Sequence, residues 1–214
     1  MKKNGIIILS GGMDSTTLLY DFKKDIALAL SFDYQSKHNK KELAFAKYHC
    51  QKLGIKHFVI NLDFIDKFFA SSLLKSGTNI PDGHYEDENM KSTVVPFRNG
   101  IMLSIAAGIA ESNGLSNIYI GNHAGDHAIY PDCRPNFINY MSDAITAGTY
   151  VKVEIKAQYT NINKRQIALI GKELGVDYSK TWTCYKGRDK HCGKCGSCVE
   201  RQEALNGFDT TEYE

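Results

Sequence analysis

The sequence predicts an α/β fold: a doubly wound, five-stranded parallel sheet with a small C-terminal region built on four cysteines. Three observations predict it. Five short apolar runs alternate with segments of helical period, and strands separated by helices return parallel through right-handed crossovers. The first run, at 6–9, is apolar at every position, as a strand covered on both faces requires. Four cysteines crowd between 184 and 198, outside that alternation.

The other runs lie at 26–30, 58–62, 118–120 and, weakest, 151–155. Each intervening helix is read from one apolar stripe. Leu43, Ala46, Cys50 and Leu53 share a face, and Gly54 follows where a left-handed residue closes a helix. Ile101, Ile105, Gly108 and Ile109 share another, and Phe137, Met141, Ala144 and Ile145 a third. Ile167, Ile170 and Leu174 form the fourth, ended by Gly175. Open sheets of this kind bind ligands at the carboxyl ends of strands, where strand order reverses. The first strand is therefore expected at the centre, with its loop at that crevice. The second run continues through Ser31, Phe32, Asp33 and Tyr34 toward the same place. Residues 71–96 have no period and carry Gly77, Pro81 and Gly83; they are expected to form a mobile segment over the site. Residues 1–180 are expected to form the sheet domain, with 181–214 a metal-binding segment packed on it.

After the first run come Ser10, Gly11, Gly12, Met13, Asp14, Ser15, Thr16 and Thr17, and then a helical pattern. A strand, a tight loop and a helix start present unpaired backbone N–H groups and the positive end of a helix dipole, which suit phosphate. Adjacent glycines let backbone approach a ligand closely. This is not a Walker A loop, since no lysine follows Gly11 and Gly12 until Lys23. Asp14 would repel phosphate unless Mg²⁺ lay between them. An ordinary strand–turn–helix with Ser and Asp as caps would use the same residue types.

Cys184, Cys192, Cys195 and Cys198 read C-x7-C-x2-C-x2-C, with Gly193 and Gly196 in the turns. Four thiolates so spaced match a closed, structural four-cysteine zinc site, while a [4Fe–4S] cluster shares part of the spacing. Clustered cysteines suggest metal rather than disulfide in a reducing cytoplasm. The chain has 214 residues, 43% hydrophobic, with net charge +2. That suits one domain, and it does not argue for a nucleic-acid surface. No run of about 18 apolar residues is expected to span a membrane, and the cytoplasm is the expected location.

The loop from Ser10 to Ser15 is similar to the pyrophosphate loop of the ATP pyrophosphatase (PP-loop) enzymes, a Rossmann-like superfamily. Four further motifs extend the likeness: Val95-Pro96-Phe97-Arg98-Asn99-Gly100, Tyr130-Pro131-Asp132-Cys133-Arg134, Asn163-Lys164-Arg165-Gln166-Ile167 and Thr181-Trp182-Thr183-Cys184-Tyr185. With the cysteine run they make the chain, from about Gly5 to Ala204, resemble the QueC family of 7-cyano-7-deazaguanine synthases. The resemblance implies conversion of 7-carboxy-7-deazaguanine, ATP and ammonia to the nitrile through an adenylated carboxylate and an amide, releasing AMP and pyrophosphate, in queuosine biosynthesis. A relative that stops at the amide, or passes the activated carboxylate to another amine, is the alternative.

The resemblance also implies roles. Leu9, Ser10, Gly11, Gly12, Met13, Asp14, Ser15, Thr16, Thr17 and Phe32 would bind ATP and Mg²⁺. Asp14, Ser15, Arg98 and Lys164 would carry the chemistry. Asp126, Tyr130, Asp132 and Arg134 would hold the deazapurine, Asp132 accepting from a guanine-like N1–H and amine or being locked by Arg134. His123 or Asp126 would assist proton removal. Cys184, Cys192, Cys195 and Cys198 would hold one structural Zn²⁺. A homodimer acting on small molecules, with no direct nucleic-acid or membrane partner, is implied. Three departures fall near the expected pocket: Gln35-Ser36 after Tyr34, Phe97 where the family often has glycine, and Ala128-Ile129 before Tyr130.

Overall fold

The computed structural model describes residues 3–84 and 88–214. Its strands are β1 (Gly5–Ile8), β2 (Ile26–Asp33), β3 (Lys56–Asn61), β4 (Asn117–Tyr119) and β5 (Glu154–Lys156). Its helices are α1 (Met13–Asp21), α2 (Asn39–Leu53), α3 (Phe64–Phe68), α4 (Arg98–Ser112), α5 (Pro135–Gly148), α6 (Lys164–Glu173) and α7 (Gly196–Ala204). The five strands form one parallel sheet in the order β3-β2-β1-β4-β5. β1 is central, as expected, because it is apolar on both faces. Ile6 packs into the core that α4 and α5 cover, and Ile7 into the core under α1, α2 and α6. Each side chain is fully buried, contributing about 1.5–3 kcal/mol of burial free energy. The chain runs outward from β1 through β2 to β3, then crosses back to β4 and β5. That reversal opens the crevice at the carboxyl end of β1.

Some expectations shift. The buried face of α4 is Met102, Leu103, Ala106, Ala107 and Ala110, with Gly108 exposed. The helix is apolar nearly all round, so periodicity alone could not fix its inward stripe. In α5 the fully buried positions are Ile138 and Ile145, and Ala144 is exposed. β3 is an edge strand that leaves Phe58 and Val59 exposed. The stretch Glu88–Ser112 is apolar and long enough by composition to cross a membrane, contrary to the expectation of no such stretch; its α4 portion is packed on β1 and β4 as a core helix.

The segment 71–96 is not a loose cover. Leu73, Leu74, Ile80, Met90 and Val95 are buried. The ammonium of Lys37 donates to the carbonyls of Ser72 (2.8 Å) and Gly77 (3.1 Å). A Cβ at Gly77 would collide with the Ser71 carbonyl, so only glycine fits that turn. The part of the expected lid at 85–87 lies outside the described residues. The cysteine region shares the sheet's core, since Trp182 and all four cysteines pack in one cluster with Ile6, Leu30 and Leu103.

Candidate active site

A cleft opens at the carboxyl ends of β1, β2 and β4, lined among others by Leu9, Ser10, Phe32 and Ile120. Its floor is the loop between β1 and α1. Gly11 stands at φ +89°, and a Cβ there would collide with the Glu42 carbonyl. Glycine therefore lets the loop press against α2. Gly12 precedes α1 and supplies no side-chain cap, so the first-turn N–H groups face the cleft without an intrahelical partner. Ser10 Oγ and Ser15 Oγ lie 2.9 Å apart, and Gly12 N–H donates to Ser10 Oγ (3.1 Å). Trp182 N–H donates to the Gly11 carbonyl (3.0 Å), pinning the loop from the cysteine side.

Leu9, Ser10, Gly12, Met13, Asp14, Ser15 and Phe32 line this cleft, as expected of nucleotide contacts. Gly11, Thr16 and Thr17 are not among the lining residues. The turn of α1 carries the two threonines inward, where Thr17 Oγ1 meets Tyr178 OH at 2.8 Å. Thr16 Oγ1 is buried without a hydrogen-bond partner.

Beside the loop sits a cluster of opposed charges. Lys164 opens α6 behind the capping residue Asn163. Its ammonium is 2.7 Å from Glu200 Oε2 and 3.3 Å from Asp14 Oδ2. Burial opposes that charge, but Asp14, Glu200 and Asp126 outweigh it and hold the amine above the ordinary lysine range. Burial pushes the Glu200 carboxyl up, against the pull of Lys164. His123 Nδ1 accepts from Gly125 N–H (3.1 Å), so in the neutral ring the proton sits on Nε2. That nitrogen is 3.5 Å from Asp126 Oδ1 and 3.9 Å from both Asp14 Oδ2 and Glu200 Oε1. Asp14 Oδ1 is buried with no hydrogen-bond partner. An orphaned carboxylate oxygen among acidic neighbours, at the start of α1, fits a hard divalent cation.

The far end of the cleft is assembled differently. Arg98 begins α4, donates to Tyr34 OH (3.2 Å) and lies 5.5 Å from the Tyr34 ring centroid. Burial works against its charge, yet Tyr34, Asp132, Cys133 and Tyr130 hold it firmly protonated. Asp132 does not line the cleft: its Oδ2 accepts from Asn99 N–H (2.8 Å) and caps the start of α4. Arg134 is exposed and donates from Nε to the His127 carbonyl (2.9 Å), away from Asp132. Both were expected to hold a deazapurine; one is a helix cap and the other a surface group. Tyr130 and Asp126 do line the cleft. Tyr130 OH is 2.9 Å from Thr93 Oγ1 and 3.2 Å from Tyr185 OH. Cys133 is buried, and burial pushes its thiol up, which suits packing rather than nucleophilic attack.

Sequence reasoning missed Glu42, His38, Asn122 and Glu200, all near or in the cleft. Glu42 follows Asn39-Lys40-Lys41 and Glu200 sits in Val199-Glu200-Arg201-Gln202, both of which read as solvated helix faces. Only the placement of α2 and α7 distinguishes them. Phe97, the departure from glycine, is left-handed at φ +53°. A Cβ at Gly100 would collide with its ring, so Gly100 makes room for Phe97.

The four cysteine sulfurs lie within 4.8 Å of one another, with Cys192 and Cys198 3.9 Å apart. Tetrahedral zinc with Zn–S of about 2.3 Å places sulfurs about 3.8 Å apart, so the donor set fits. Cys195 N–H points to Cys192 Sγ (3.3 Å) and Cys192 N–H to Cys184 Sγ (3.4 Å). His191 accepts from Thr183 N–H (3.2 Å) and packs on Trp182, so it is not a fifth donor.

A sheet of order 3-2-1-4-5 with a glycine-hydroxyl loop at its central strand defines an α/β protein of the PP-loop class. A solved structure of the same fold is NMN synthetase from Francisella tularensis, with a TM-score of 0.51 and 16% identity, covering 87% of this chain and 68% of that one. The profile of the queuosine biosynthesis protein QueC matches residues 4–209, and the chain belongs to that family. It is similar to proteins named 7-cyano-7-deazaguanine synthase. The one from Porphyromonas gingivalis is 60% identical over 100% of this chain and 98% of the relative. Those from Desulfotalea psychrophila (53%) and Methanoregula boonei (47%) each cover 98% of both chains.

Proposed function

We propose that this chain converts 7-carboxy-7-deazaguanine and ammonia to 7-cyano-7-deazaguanine at the expense of ATP, as an AMP-forming carbon–nitrogen ligase. The observation that carries the reading is one continuous cleft joining the Ser10–Ser15 loop to the buried cation Arg98. A carboxylate is a poor electrophile. Its oxygen attacks the α-phosphorus of ATP and pyrophosphate leaves. Ammonia attacks the acyl carbon, AMP leaves, and a proton is lost to give the amide. The amide oxygen then attacks the α-phosphorus of a second ATP and a second pyrophosphate leaves; loss of AMP and two N–H protons leaves the nitrile.

The chain's own groups position and neutralise. First-turn amides of α1 with Ser10 and Ser15 cradle the departing pyrophosphate. Lys164, held charged, stands against the phosphates, and Arg98 against the substrate carboxylate. Asp14 Oδ1, with Asp126 and Glu200 close by, would hold Mg²⁺, which supplies charge neutralisation at the phosphates. Asp126, which lines the cleft, is assigned the role of proton acceptor. The four cysteines would hold Zn²⁺ as a structural clamp. The working unit is taken as a cytoplasmic homodimer, which sedimentation of the purified chain tests.

The decisive experiment supplies ATP, Mg²⁺, ammonium and the acid and weighs the product. The expected result is the nitrile, with two AMP and two pyrophosphate per turnover. ADP formation, or accumulation of the amide alone, overturns the reading.

A further inference from the structure

The far end of the cleft holds a carboxylate that the reaction steps above leave unused. Glu42 lies in the first turn of α2 beside Lys40 and Lys41, but unlike them it turns inward, its side chain 15% exposed. Among the described residues its carboxylate meets one polar side chain, His38 Nε2 at 3.6 Å. His38 is itself buried, with Nδ1 unpartnered. Burial depresses its protonation to about 4, so it is neutral and brings Glu42 no charge. Among the described residues Arg98 is the cation acting on Glu42, and burial still pushes the Glu42 carboxyl up to about 8. Near neutral pH the empty cleft therefore holds this group largely protonated, and a ligand that supplies N–H donors would favour the carboxylate.

A guanine-type ring supplies them. Its N1–H and 2-amino group point the same way and fit the two oxygens of one carboxylate. Beside N1 comes O6, and next to O6, across the ring fusion, the substituent at C7. A ring seated with its N1–H and amine on one group therefore offers O6 and its C7 carboxylate to a neighbouring cation. Glu42 and Arg98 both line the cleft and feel each other's charge.

We propose that Glu42 is the specificity residue that reads the N1–H and 2-amino edge of the deazaguanine, with Arg98 on the adjoining O6 and carboxylate edge. The assignment rests on the function proposed above. It replaces the one expected for Asp132, whose Oδ2 is taken by Asn99 N–H.

The test compares the acid with its analogue lacking the 2-amino group. The native chain should prefer the acid by roughly 30-fold or more in kcat/KM, since a site built for an N–H rejects a ligand without it. Glu42→Gln should raise KM for the acid by a similar factor, leave KM for ATP within about 2-fold, and reduce the preference to within about 3-fold. A merely structural role would not move that ratio. If Glu42→Gln melts early, Glu42→Asp keeps the carboxylate and should retain part of the preference. An unchanged preference in the Gln variant, or a rise in KM for ATP alone, overturns the inference. A native chain that fails on the acid altogether overturns the function reading instead.

Discussion

The two ends of the cleft are built by opposite means. At the loop end one short stretch, Leu9 to Ser15 without Gly11, supplies backbone and hydroxyl groups, and Asp126 and Lys164 join it from other elements. At the far end Tyr34 follows β2, Glu42 lies on α2, Arg98 and Asn99 open α4, Tyr130 precedes a short turn and Tyr185 follows Cys184, the first of the four clustered cysteines. There the functional groups are side chains brought in by several elements. Phosphate can be bound by N–H groups and a helix dipole, so conformation suffices. A substituted heterocycle must be matched edge by edge, and that requires side chains converging from several elements.

The largest effect should come from attacking the phosphate end through its backbone. Gly11→Ala drives a methyl into the Glu42 carbonyl and to 2.8 Å from Ala46 N, at a φ that alanine disfavours. The loop must lift from α2 or the Glu42 turn must give way, so KM for the acid should rise as well. Steady-state assays should show kcat/KM for ATP falling about 10³-fold, the scale of losing preorganised donors. Retention of more than a tenth of the native value would show that the loop tolerates displacement, and the contrast between the two ends would lose its basis.

The second effect tests what joins the ends. Trp182 N–H holds the Gly11 carbonyl, Tyr185 reaches the far end, and α7 starts directly after Cys195 and carries Glu200 to Lys164. Arg201, fully buried on the same helix, donates to Thr181, Thr183, Thr211 and the Tyr178 carbonyl. Cys195→Ser should therefore lower zinc content, reduce thermal stability and weaken both KM values together, by about 10- to 100-fold. Full zinc with an unchanged melting curve would remove the cysteine cluster from this role.

The same contrast explains what was legible beforehand. The sheet, its central strand and the cysteine ligands follow from local pattern: continuous apolar runs, glycines at turns, thiols at fixed spacing. Asp14 and Lys164 were legible because their motifs are short and contiguous. Asp132 and Glu42 were not. Asp132 stands in a conspicuous motif, yet its carboxylate caps a helix 33 residues away in sequence. Glu42 stands in a charged run that looks solvated, and faces the cleft because α2 lies against the loop at Gly11. The inward stripe of α4 was missed for a related reason: on a helix apolar nearly all round, tertiary packing chooses the face.

The smallest effect concerns a left-handed residue at each end. At the phosphate end it is Gly11, where glycine is obligatory. At the far end it is Phe97, directly before Arg98, and there a side chain bears the conformation. Left-handed backbone costs a non-glycine residue about 1–2 kcal/mol. The ring offsets part of that: it meets Phe137 edge-on, with centroids 5.6 Å apart, a contact worth about 0.5–1.5 kcal/mol. Phe97→Ala loses the contact and keeps the strain, whereas Phe97→Gly loses both. Denaturant unfolding should therefore rank the native chain and the Gly variant within about 1 kcal/mol, with the Ala variant lower than Gly by about 1 kcal/mol. Because Phe97 sets the first turn of α4, both variants should raise KM for the acid a few-fold and leave KM for ATP unchanged. An Ala variant as stable as the Gly variant would mean that the strain is relieved elsewhere in the loop, and a shift in KM for ATP would mean that the two ends are less separate than their construction implies.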